Sequence, residues 1–184
     1  MPVWGIILIV VAVVLVVYVI ALYNNLVKRR NECEEAFATM DVYLKQRWDA
    51  VPNFVETVKG VMKHEKDLLK DITELRTKSY DSMSTKEKIE ANKQLSSGLS
   101  KLLAVSEAYP ELRTNENFKD LNDKLENVET HIANARKFYN GTVRDYNIAI
   151  QVFPNFIIAK MFGFSKMQMF EIEAQERENV KVKF

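Results

Sequence analysis

Leu44-Lys45-Gln46-Arg47-Trp48-Asp49-Ala50-Val51-Pro52-Asn53-Phe54-Val55 decides the architecture, because apolar residues recur at helical spacing on both sides of a proline. The stripe extends in both directions as Phe37, Met40, Leu44, Arg47, Val51, Phe54, Val58, Val61, Glu65, Leu68, Ile72 and Leu75, with Arg47 and Glu65 as polar interruptions. Pro52 either kinks one continuous helix or opens a new one at its first turn. Unbroken, residues 24–79 would span roughly 84 Å, against roughly 39 Å for the helix expected over residues 84–109, so most of that rod would lack a partner. A turn near Asp49 to Pro52 instead gives matched helices of about 26, 28, 26 and 39 residues, the lengths of an antiparallel four-helix bundle. The heptad register running unbroken across Pro52 argues the other way, but the length match favours four helices.

Downstream, the cleanest stripe is Phe118, Leu121, Leu125, Val128, Ile132, Ala135, Tyr139, Thr142, Tyr146, Ala149 and Phe153. It predicts one long helix with a single buried seam. A looser stripe uses Ile89, Leu95, Leu99, Leu102 and Leu103, with Ser84 and Glu87 in capping-box spacing at its start. Tyr109-Pro110 should end that helix, because proline disfavours helical geometry in the residue before it. Five Gly and four Pro in 184 residues are too few for an all-β chain rich in turns.

Upstream lies Val3 to Tyr23, VWGIILIVVAVVLVVYVIALY, 21 residues without a formal charge. At about 1.5 Å per residue that is long enough to cross the hydrocarbon core as a helix, the one open-ended structure that satisfies its own backbone in lipid. Trp4 and Tyr23 suit the two interfaces, and Lys28, Arg29 and Arg30 follow directly. A cleaved signal would carry a basic lead-in, a shorter apolar stretch and a small-x-small cleavage site, none of which is present, so a retained anchor is expected. The basic cluster predicts a single-pass protein of the cell membrane with a short N-terminus outside and the body in the cytoplasm. The expected fold is therefore all-α: a transmembrane anchor over 1–27, an antiparallel bundle of four long helices over 28–153, and a short apolar segment with a polar tail over 154–184.

Several stretches together resemble the bacterial LemA family. They are Tyr23 to Asn31 (YNNLVKRRN), Leu44 to Val55 with Thr57-Val58-Lys59-Gly60 and His64-Glu65, Glu107-Ala108-Tyr109-Pro110, and the series Ala135-Arg136, Tyr139-Asn140, Tyr146-Asn147, Phe153-Pro154 and Gly163-Phe164. They are collinear with the family over nearly the whole chain. The resemblance implies a single-pass bacterial membrane protein with a bundle of long helices, a small N-terminus outside and no established enzymatic activity. Tyr43 and Gln46 depart from its usual glutamine and arginine.

Chemistry has no visible seat. A di-metal bundle needs Glu-x-x-His on two helices, but Val61 and Val128 stand three residues before His64 and His131. His64-Glu65 opens like a zinc-protease helix, yet the second histidine would fall at Leu68. Two histidines and one cysteine are poor material for zinc, and Cys33 alone makes no intramolecular disulfide. No phosphate-binding glycine loop is present. A net charge of +1 leaves no footprint for nucleic acid. No catalytic, cofactor-binding or metal residue is expected, and no small-molecule substrate.

Partner contacts are the sharper expectation. Tyr139 and Tyr146 lie one heptad apart on the seam, with Asn140 and Asn147 one step off it, where inter-helix bonding and partner contact compete. Beyond Pro154, Phe156, Phe162 and Phe164 belong to a segment too apolar for a solvated tail, able to dock on the bundle, the bilayer surface or a neighbouring copy. The expected function is a non-enzymatic membrane-anchored scaffold that self-associates and meets other membrane proteins. A transmembrane signal-transducing module and an enzyme of unrecognised type are the alternatives.

Overall fold

The computed structural model describes residues 3–75 and 79–170, and among these every regular element is helical. Helix α1 runs Val3–Lys59, 57 residues with Pro52 inside it. The turn expected near Asp49 to Pro52 is thus absent, and with it the division into four matched helices. Pro52 lies on the exposed face, while Leu44, Arg47, Val51, Phe54 and Val58 make one buried stripe across it. A missing N–H and a tilted carbonyl cost least on a solvated face, so burial of the continuous stripe outweighs the proline.

The chain turns instead at Gly60, where the amides of Val61 and Met62 both return to the Val58 carbonyl at 3.0 and 2.8 Å. There the buried register slips by one residue. Met62 and Leu69 are buried, where the stripe pointed to Val61 and Leu68. Helix α2 follows over Lys66–Glu74. A 3-10 turn, Tyr80–Ser82, leads into α3, Thr85–Ser106. Its N-terminus carries the expected capping box, with the Glu87 amide donating to Ser84 Oγ at 3.3 Å and the Ser84 amide to Glu87 Oε2 at 2.9 Å. Tyr109 is extended and Pro110 opens the short α4, Pro110–Thr114. Gly98 of α3 faces Ile72 of α2 so closely that a Cβ would sit 3.0 Å from the isoleucine Cγ1.

Helix α5, Glu116–Ala149, buries Phe118, Leu125, Ile132, Tyr139 and Tyr146 as its seam predicts. The seam's last member, Phe153, lies beyond the helix and is exposed. Helix α6, Asn155–Phe162, ends at Gly163, whose φ of 75° is the left-handed cap that glycine adopts without Cβ strain. Two compact units emerge: one from the chain up to Ala38 with Lys137–Met169, the other from Thr39–Arg136 with Phe170. Helices α1 and α5 contribute to both.

Candidate functional site

In the first unit, α5 grips the chain beyond α6. The Tyr139 hydroxyl donates to the Gln168 carbonyl at 2.7 Å and the Tyr146 hydroxyl to the Ser165 carbonyl at 3.1 Å. Between them Asn147 donates from Nδ2 to the Met167 carbonyl and accepts at Oδ1 from the Met167 amide, both at 2.9 Å. A carboxamide is the side chain that answers one residue's N–H and C=O together, as a neighbouring strand would. Burial pushes the Tyr139 hydroxyl up to about 12, with the nearby Cys33 adding to the shift, and burial likewise raises Tyr146. Both therefore remain protonated donors at neutral pH. Cys33 is buried beside them; desolvation raises its thiol against the opposing effect of a hydrogen bond with Thr142.

Tyr23 meets the end of α6 and the strap of chain that follows it. Its ring centroid lies 4.8 Å from that of Phe162 and 5.7 Å from that of Phe164. Of the other expected interface residues, Trp4 and Lys28 are exposed, Arg29 donates to Asn25 Oδ1 at 3.0 Å, and Arg30 pairs with Glu34 at 3.1 Å. Among the expected interaction residues, Asn147 and Phe164 thus hold the strap, Phe156 is exposed, and Asn140 is half-buried on α5.

In the second unit sits a network centred on Arg47, which sequence reasoning treated only as an interruption. Arg47 is 1% exposed. Its guanidinium donates to Ser96 Oγ at 2.7 Å, to Glu129 Oε2, and to Asn92 at both the backbone carbonyl (3.0 Å) and Oδ1 (3.1 Å). Asn92 Nδ2 donates to the Tyr80 hydroxyl at 3.3 Å, and that hydroxyl donates to Asp41 at 2.6 Å. Lys88 closes the chain onto the other oxygen of Asp41 at 2.6 Å. The Tyr80 ring packs against Trp48 at 5.3 Å, and burial followed by Asp41 drives its hydroxyl pKa strongly upward. The available signal was Asn92, which fills the gap between Ile89 and Leu95 on the α3 stripe. An arginine and an asparagine each set into an apolar stripe mark a desolvated polar pair.

The model of the LemA family matches residues 36–184. The chain belongs to the LemA family. The match takes in the Arg47 network and the residues of α5 that grip the strap. Similarity also extends to magnetosome proteins. MamQ of Magnetospirillum gryphiswaldense is 31% identical over 72 residues, 39% of this chain and 26% of that protein. MamQ 2 of Paramagnetospirillum magneticum is 33% identical over 73 residues, 40% of this chain and 27% of that protein. The chain thus spans about a quarter of the length of these relatives.

No cluster of three or more His, Cys, Asp or Glu side chains able to hold a metal occurs among the described residues of this LemA protein. An apolar groove of about 620 Å³ between the end of α1 and α2 includes Val51, Val55, Met62 and Leu69 in its lining. On its rim, Lys59 and Lys70 are matched by Glu56 and Glu74 of their own helices, at 3.8 and 3.5 Å. The two polar clusters do the work of packing and pairing: hydroxyls and an amide hold backbone, and one desolvated cation holds three helices.

Proposed function

We propose that this LemA protein is a non-enzymatic scaffold anchored in the cell membrane, which self-associates at the membrane surface and presents helix faces to other membrane proteins. The observation that carries this reading is α1, whose first part is apolar enough to cross a membrane, with none of its most apolar stretch buried within the protein. Lys28, Arg29 and Arg30 at its exit support an orientation with the N-terminus outside and the body in the cytoplasm. Copies held in one membrane meet at raised effective concentration, so weak lateral contacts suffice for assembly. The likeness to magnetosome proteins covers only about a quarter of their length and adds no activity. Sizing and crosslinking across a concentration series in mild detergent tests the reading: concentration-dependent oligomers are expected, and strict monomers throughout refute self-association.

Signal transduction is favoured by one specific feature, the passage of α1 from the apolar stretch to Lys59 without a break. A rigid helix transmits rotation, so inserting one alanine after Tyr23 turns everything beyond it by about 100°. A crosslinking pattern of the body that follows helical phase over one to four insertions supports transduction, and a pattern indifferent to phase removes it.

A further inference from the structure

We infer that α6 is a second membrane-contacting element, lying flat in the interfacial layer beside the exit of α1, with a lipid surface as its occupant. Asn155–Phe162 reads NFIIAKMF, apolar on every side except at Asn155 and Lys160. A helix hydrophobic all round has no side suited to water. Ile158 and Ala159 face the protein, yet Phe156, Ile157, Met161 and Phe162 are 42–69% exposed, and Phe153 just before them is 78% exposed.

The strap beyond α6 holds this face in place. Three α5 side chains bind its backbone between Ser165 and Gln168, and the left-handed Gly163 turns the chain into their grip. Rotating the apolar face inward would break those bonds.

Position selects lipid over a second copy. Phe162 packs on Tyr23, the last residue of the uncharged apolar run, whose preceding turns are themselves exposed and apolar. From Tyr23 to Lys28 is about 7 Å along a helix, comparable to one headgroup layer. The exposed face of α6 therefore continues the lipid-facing surface of α1 at the depth where that surface leaves the hydrocarbon. This is the setting of an interfacial helix whose apolar side enters the acyl boundary.

This inference rests on the membrane reading of α1, and the experiment separates the two. Nitroxide labels are placed one at a time at Val13→Cys, Met161→Cys and Glu90→Cys in a Cys33→Ser background of the full chain. The protein is reconstituted in nanodiscs of phosphatidylcholine and phosphatidylglycerol. Collision rates with oxygen and with a water-soluble nickel chelate are then compared. The expected result is an oxygen-to-nickel ratio severalfold higher at residues 13 and 161 than at residue 90. Residue 161 reading as water while 13 reads as lipid overturns the α6 assignment and leaves the span intact. Both reading as water overturns the span itself. Residue 161 shielded from both reagents means that protein covers the face, and that outcome also overturns the inference.

Discussion

Replacing Pro52 by alanine should stabilise this protein, which is the reverse of what a helix-opening proline would give. In the interior of a helix, proline lacks the N–H that returns to the carbonyl four residues earlier, and it is about 3 kcal/mol less favourable than alanine. Pro52 sits seven residues before the end of α1, on the exposed face, so the substitution strips little from the core. Alanine restores the bond toward Trp48. Against this, proline restricts the unfolded chain, and losing that restriction costs about 0.4–1 kcal/mol. A proline inside a helix commonly bends it, which relieves part of the clash, so full recovery is not expected. The balance is a gain of about 1–2 kcal/mol. For a chain of this size each 1 kcal/mol moves the midpoint by about 2–4 °C, giving a rise of about 2–8 °C. Thermal unfolding followed by helical circular dichroism in mild detergent measures it. A Pro52→Ala protein that melts at the same or lower temperature would refute the continuous helix, because a proline at a helix start or turn loses stability when replaced.

Three further outcomes follow from the two polar clusters. Arg47→Met keeps the aliphatic stem but strips Asn92 and Ser96 of their donor; with Glu129 44% exposed and able to turn to water, a loss of about 2–4 kcal/mol is expected in the same unfolding assay. Replacing Asn92 by leucine in that background should recover part of the loss, and no recovery would show that Arg47 acts through its stem alone. Asn147→Asp removes the donor to the Met167 carbonyl and sets a carboxylate against it, so proteolysis between Ser165 and Gln168 should accelerate, whereas Lys137→Ala on the exposed side of α5 should leave the rate unchanged. Tyr139 is raised to about 12 in the fold from about 10 in the unfolded chain, so its contribution is intact below pH 10 and is lost as the pH rises toward 12. The unfolding midpoint should fall more steeply across that window in the parent than in Tyr139→Phe, and parallel curves would rule out this hydroxyl as the cause.

What was legible in the sequence followed from periodicity. The seam of α5, the stripe of α3, the capping box at Ser84 and the apolar stretch of α1 all report a residue's relation to its own helix, which spacing encodes directly. At Pro52 the length match favours a turn and the unbroken register a continuous helix, and the length argument assumes that helices must match. The buried stripe crossing it, an observation already in the sequence, was the stronger term. The true turn, at Gly60, left a subtler mark, a one-residue slip from Val61 to Met62 that no heptad count over the intact stripe could show.

Tertiary partnership explains the remaining gaps. Asn147 stood out as polar beside a seam, but its partner is a backbone amide and carbonyl at Met167, and no side-chain pattern announces a backbone. Arg47 was visible as an interruption, and so was the break in the α3 stripe at Asn92. Each alone reads as a tolerated defect, since a polar residue on one stripe can reach solvent. Only together do they form a pair, because a guanidinium desolvated against α3 needs fixed acceptors there. Two interruptions on separate stripes therefore hold more structural information than either stripe's apolar residues. Leucine at those positions would still pack helix against helix, whereas the Arg47 to Asn92 bonds are satisfied in one register alone.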